Sequence, residues 1–224
     1  MLITHKHLDE NFEYDGSQIE QSWAFKSFGI KGSSIITWIG SMNIFPENLK
    51  DFEDIGLEIK SNKMIHFIIE HFDQQPANLR LAYMRQRLFV MILREKLAKK
   101  GVEAIRNGDD IYIDSNGFKK LTVSIATVSP SSMKIHLGIN VTSVGTPDDV
   151  DTIGLFELGV DSNNNNSNSN TNNNANANNT NTNNTNNNYN FNENNLLDFV
   201  NDIVNGYINE LNDIELDISK TNLL

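Results

Sequence analysis

The stretch that decides the fold is residues 106–141, RNGDDIYIDSNGFKKLTVSIATVSPSSMKIHLGINV. Three runs rich in β-branched and aromatic residues, Asp109–Asp114, Lys119–Val128 and Met133–Val141, are divided by Ser115-Asn116-Gly117 and by Pro130-Ser131-Ser132. Asn-Gly accepts the positive φ angles of a tight hairpin at little steric cost, and the Pro-Ser-Ser run marks a second turn. The pattern predicts three consecutive strands. Just upstream, Leu81, Met84, Leu88, Met91 and Ile92 recur at helical spacing, with Pro76 ahead and Gly101 after Lys96, Lys99 and Lys100. Cations suit the negative end of a helix dipole, so residues 78–100 are predicted to form one long amphipathic helix. A long helix followed by adjacent strands gives an α/β (α+β) fold class, a mixed, mainly antiparallel sheet with helices packed on one side.

Outward from this block the signals weaken. Residues 1–16 show no lasting period. Ser17-Gln18-Ile19-Glu20 has the spacing of a capping box and predicts a helix running through Trp23-Ala24-Phe25, broken by Gly29 and Gly32. Ser34–Ile39 is a strand by propensity, closed by Gly40. Residues 46–56 are polar and acidic and read as a loop or short helix. Met64–Phe72 (MIHFIIEHF) fits either a strand or a helix, with strand favoured. Near the C-terminus, Leu196, Val200, Ile203, Val204, Tyr207 and Leu211 lie on one stripe of a final amphipathic helix with an acidic outer face.

Composition bounds the rest. Among 224 residues, positions 163–188 hold 18 Asn and no apolar side chain larger than Ala. Such a tract cannot bury enough surface to offset its ordering entropy. The chain therefore divides into an α/β domain at 1–162, an Asn-rich disordered insertion at 163–190, and a C-terminal helix and tail at 191–224. The net charge of −11 includes −6 from residues 189–224, which leaves −5 to residues 1–162. So acidic a chain lacks the clustered Lys and Arg that phosphate backbones require, so no nucleic-acid partner is expected. There is no Cys, which excludes disulfides, thiolate metal sites and Cys nucleophiles. No apolar run approaches a membrane span and no signal peptide is visible, so a cytoplasmic location and no membrane partner are expected. The acidic face of the 196–211 helix also argues against a membrane-surface role. A tract of this length spans about 25–30 Å on average, so that helix can dock on its own domain or on a second copy in a homodimer.

Several constellations have both a functional and an ordinary reading. His66, Glu70 and His71 invite a metal site, but on a strand His66 and Glu70 share a face with Ile68 while His71 points away. One His–Glu pair is too few ligands for catalytic zinc, so no metal is assigned. Gly108-Asp109-Asp110 resembles a polymerase carboxylate pair without the basic surface of a polymerase. Arg85 and Arg87 lie about 200° apart on a helix and cannot share a ligand. Trp23 and Trp38 suit either a core or a stacking wall. No P-loop, dinucleotide-binding or hydrolase-elbow motif occurs.

The block RNGDDIYID-SNG-FKKLTVSIATV…MKIHLGINV resembles the second half of the biotin and lipoate protein ligase catalytic domain. On that resemblance Asp109-Asp110-Ile111 takes the place of an Asn-Asp-aliphatic triplet. Lys120 takes that of the lysine contacting the acyl-adenylate, and His136, Gly138 and Asn140 occupy the closing strand. Residues 17–160 are more closely similar to an archaeal family catalogued as domain of unknown function 366, on the stretches QSWAFKSFGIKGSSI, MIHFIIEHF, RQRLFVMILREKL, RNGDDIYI, LTVSIATVSPSSMKIHLGINV and GTPDDVDTIGL. That family is thought to share the fold of the biotin/lipoate ligases and class II aminoacyl-tRNA synthetases. Two departures from the ligases stand out. Gly40-Ser41-Met42-Asn43 replaces a Gly/Arg-rich phosphate loop, and Val123 stands where the ligases place a Gly.

The resemblance implies a ligase-like pocket with Lys120 and Asp110 in catalytic positions. Asp109, His136 and Asn140 would bind ligand with them, joined by Trp38, His66 and Glu70 from the first-half strands and Arg106 near the rim. The expected ligand is a small carboxylate or a nucleotide. An active acyl-adenylate-forming ligase or acyltransferase, using ATP and Mg²⁺, and a non-catalytic protein-interaction module are the alternatives.

Overall fold

The computed structural model describes residues 2–158 and 191–222; the Asn-rich insertion lies outside them. The elements run β1 (Thr4–His7), α1 (Trp23–Phe28), β2 (Ser34–Asn43), β3 (Lys60–His71), α2 (Leu79–Lys99), β4 (Ile105–Asn107), β5 (Asp110–Asp114), β6 (Phe118–Lys120), β7 (Thr122–Val128), β8 (Met133–Asn140) and α3 (Leu196–Ser219). Five strands form the main sheet in the order β1-β2-β3-β8-β7, and β4-β5-β6 form a smaller one. Among the described strands, β1 and β2 run parallel and every other pair is antiparallel. The fold is thus mixed and mainly antiparallel.

Both long helices cover one face of the main sheet. On β3, Ile65, Phe67 and Ile69 point into a core shared with Phe89 and Leu93 of α2 and with Phe199, Val200, Ile203 and Tyr207 of α3. Each such side chain, fully buried, stabilises the fold by about 1.5–3 kcal/mol. The helix α2 begins where Asn78 accepts a hydrogen bond from Leu81 N at 3.0 Å, satisfying one of the orphan donors of the first turn. It ends at Gly101, whose φ of 86° favours glycine. Behind it, the Arg85 guanidinium grips Asp73 with two parallel bonds of 2.7 and 2.6 Å, and His71 Nε2 meets the Tyr207 hydroxyl at 3.0 Å. Arg85 and Tyr207 thus link the β3 end to both helices.

The opposite face carries a second cluster, in which Met64 and Ile68 of β3 meet Tyr14, Trp23, Trp38 and Met42. Here the N-terminal segment crosses close over β2. The Trp38 indole donates to Phe12 O at 2.7 Å, and a Cβ at Gly40 would lie 2.0 Å from that same carbonyl. Only a glycine permits this approach.

Three local readings are corrected. Ser17–Ile19 is a 3-10 turn whose start has no side-chain cap, and α1 begins separately at Trp23 after Ser22 turns to φ 61°. The capping-box spacing failed because the Ser22 backbone N–H is taken by the Glu70 carboxylate at 2.8 Å, a tertiary bond no local pattern reveals. Residues 119–128 form two strands in different sheets, split at Leu121, whose N bonds to Ile111 O at 2.8 Å while its O accepts from Asn140 N at 2.9 Å. Gly40–Asn43, aligned with a phosphate loop, is the end of strand β2.

Candidate functional site

The junction created at Leu121 builds a site. Lys120 ends β6 opposite Tyr112 of β5, and its main chain is clamped on the other side by Asp151 O at 2.8 Å and Ile153 N at 3.1 Å. Asp110 lies two residues before Tyr112, on the same face of β5, so Lys120 and Asp110 are diagonal cross-strand neighbours. The Lys120 ammonium sits 2.8 Å from Asp110 Oδ2. Burial pushes the Asp110 carboxyl above its usual range, partly offset by Lys120. Burial works against charge on Lys120, but Asp110 outweighs it and raises its pKa. One ammonium bond to Asp110 leaves two of the three lysine N–H groups for other acceptors. Asp109 is held from behind, at 2.9 Å from Arg87 and 2.8 Å from the Gln86 amide.

These groups open onto a cavity of about 350 Å³ between the main sheet, the smaller sheet and the 44–60 segment. Its floor is the polar end of β8. His136 and Asn140 alternate with Ile135, Leu137 and Ile139, which face the helices, as strand periodicity requires. Asn140 accepts from the Ser61 hydroxyl at 3.3 Å and donates to Lys120 O at 3.5 Å. The His136 ring lies flat against Tyr14, with centroids 3.7 Å apart.

His66 stands one step behind. Its Nε2 donates to Gly40 O at 3.3 Å, so its Nδ1 is the acceptor for His136 Nε2 at 3.1 Å. His136 then keeps Nδ1 as an acceptor. Burial drives the pKa of His66 down to about 3 and that of His136 well below the ordinary value, the latter helped by repulsion between the two rings. Both rings are therefore neutral at pH 7, which suits hydrogen bonding better than anion binding.

The structure brings five of the nine sequence-predicted residues to the cavity: Lys120, Asp110, Asp109, His136 and Asn140. Trp38 and His66 do not line it. Trp38 is fully buried in the second cluster, stacked on His66 with centroids 4.8 Å apart. Glu70 shares the predicted face of β3 but sits four residues, about 13 Å, further along the strand. There its carboxylate accepts from Ser22 N at 2.8 Å and the Ser132 hydroxyl at 2.6 Å. Arg106 is exposed on β4 and donates to Gly108 O. Sequence reasoning missed Tyr14 and the acidic wall of Asp51, Glu53, Asp54 and Glu58. The wall was legible only as a polar and acidic run, with nothing to say what it faces. Among the described residues no group of three or more His, Cys, Asp or Glu can hold a metal ion, and no helix is long and apolar enough to cross a membrane.

An uncharacterised protein of Methanocaldococcus jannaschii is 43% identical over 157 residues, 67% of this chain and 68% of that one. A solved protein of unknown function from Pyrococcus horikoshi superposes over the whole of both chains at TM-score 0.77 and 34% identity. Weaker structural neighbours include the biotin protein ligase of Aquifex aeolicus in complex with biotin and ATP, at TM-score 0.46 and 15% identity over 69% of this chain and 60% of that one. They also include a bipartite lipoate protein ligase of Thermoplasma acidophilum, at 0.41 and 13% over 65% and 64%. Residues 3–182 match the family described as "Domain of unknown function (DUF366)", and the chain belongs to it.

Proposed function

We propose that this protein binds a small organic molecule, a carboxylate or a nucleoside-type compound, in the cavity between its two sheets. One observation carries the reading: charged and polar groups from three separate strands, Asp110, Lys120, His136 and Asn140, converge on one cavity of about 350 Å³. That volume falls within the range of small-molecule sites, about 300–1,000 Å³. Each of these groups already has at least one partner within the chain but keeps further donors or acceptors toward the cavity, which favours a ligand role over a purely structural one. In this reading Lys120 donates to a ligand oxygen, Asp110 holds the lysine in place, and His136 and Asn140 orient the ligand from below.

Binding without adenylation is favoured over ligase chemistry. The cavity is lined by seven carboxylates against three lysines, a field opposed to a triphosphate. A cytoplasmic location would suit a ligand of this kind. The test is a thermal-shift titration of the full chain with short carboxylates, nucleosides and nucleoside monophosphates, run beside ATP–pyrophosphate exchange. At least one compound should raise the melting temperature of the natural protein and leave Lys120→Ala unmoved, with no exchange above background. A panel without any response, or an equal response in Lys120→Ala, would reject the cavity as the binding site.

A further inference from the structure

The wall facing Lys120 narrows the class of ligand. Asp51, Glu53, Asp54 and Asp149 all line the cavity, and none of the four forms an ion pair with a described residue. The lysines opposite do not balance them. Lys120 is bound to Asp110 and Lys60 to Glu58, which leaves Lys50 alone. The wall carboxylates also repel one another: Asp54 is pushed above its usual range by burial and then by Asp51, with Lys120 partly relieving it and Glu53 adding to it. A second observation points to a ligand independently. The Tyr14 side chain is 1% exposed and lines the cavity, yet its hydroxyl has no hydrogen-bond partner among the described residues. It is not sealed off either, since among the described residues the enclosed side-chain atom without a partner is His71 Nδ1. The Tyr14 hydroxyl therefore keeps contact with the cavity, where it has both a donor and an acceptor to offer a ligand.

We infer that the molecule bound in this cavity carries a protonated amine, presented to Asp51 and Asp54, with a polar group in reach of Tyr14. This rests on the binding reading above and specifies the ligand's charge. An ammonium beside the partly exposed Asp51 and Asp54 makes charge-assisted bonds and relieves the repulsion between them. A ligand that is only an acid would add to that repulsion, whereas a carboxylate carried beside the ammonium can still reach Lys120.

The test uses one carbon skeleton with different charges. Isothermal titration of the full chain is carried out with 1,5-diaminopentane, 5-aminopentanoate, pentanoate and glutarate, and with adenosine monophosphate beside them. The two amine-bearing compounds should bind, and pentanoate and glutarate should bind at least about tenfold more weakly, the worth of one charge-assisted contact. Asp51→Asn combined with Asp54→Asn should weaken amine binding by about tenfold or more, and Tyr14→Phe by a smaller factor. Asn keeps the size of Asp, so loss of binding with an unchanged melting temperature reads charge and not folding. The inference is overturned if either acid binds as tightly as the amines, if neither amine binds at millimolar concentration, or if the double variant keeps full affinity. Adenosine monophosphate or an acid binding where the amines fail would remove this inference and keep the binding reading. Failure of all five would remove both.

Discussion

The two faces of the main sheet treat polar groups in opposite ways. On the helix face His71 is bonded to Tyr207, and Arg85 grips Asp73 in a fork; among the described residues the one enclosed loose end is His71 Nδ1. On the cavity face, Tyr14, Lys120 and the 51–54 carboxylates keep capacity for further bonds. Closed networks hold elements together, whereas unfinished ones mark a surface adapted to something else. The same strand, β3, serves both, because successive side chains leave it in opposite directions. Substitutions on the helix face should therefore cost stability, and those on the cavity face should cost binding.

Acid should break the comparison first, because it reaches both faces. His66, His71 and His136 are buried and neutral, with pKa values depressed below 6.5. The unfolded chain takes up protons first, so their contribution is full above about pH 6.5 and is lost as pH falls through the depressed values, about 3 for His66 and His71. Each histidine can remove up to about 1.4 kcal/mol per pH unit in that window. Urea midpoints measured from pH 7 to 4 should fall steeply; a flat profile would mean that the rings are already charged or exposed in the fold.

Tyr207→Ala should come next, at about 3–5 kcal/mol, because it empties a fully buried site between α2 and α3. Chemical denaturation measures it, and a loss under 1 kcal/mol would show that α3 adds little to the core. Arg85→Leu should cost about 2–3 kcal/mol, leaving the half-buried Asp73 without its partner. Arg85 holds the Asp73 carboxyl below its usual range. The stability from that pair is therefore present above about pH 4 and lost as pH drops further, a component that Asp73→Asn should lack. On the cavity face, Lys120→Ala should cost less, about 1–2 kcal/mol, since Asp110 loses its partner but still borders the open cavity. Its effect on ligand affinity should be far larger. A drop of several kcal/mol would place Lys120 among the closed networks instead.

What the sequence revealed follows the same division. The α2 stripe and the Asn-Gly hairpin were legible because short-range spacing and turn chemistry specify them. The strand β1 was not, since Thr4–His7 is polar and half exposed at the sheet edge, with no period to read. The face of Glu70 was legible from alternation, but its position along β3 was not, because distance from the site depends on where the partner strands end. His66 and Trp38 were misplaced for a related reason: β2 and β3 are covered on both faces, so a buried ring there can as well support a site as line it. Tyr14 reaches the cavity only because Gly40 lets the N-terminal segment cross β2, a tertiary consequence absent from any local window.

Native mass spectrometry of the full chain purified from its own host, beside Lys120→Ala and Arg106→Ala, tests the assignment of the cavity most directly. A non-covalently held small molecule should accompany the natural protein and Arg106→Ala, and be absent from Lys120→Ala. A bare protein mass in all three, or a bound molecule that survives Lys120→Ala, would contradict it.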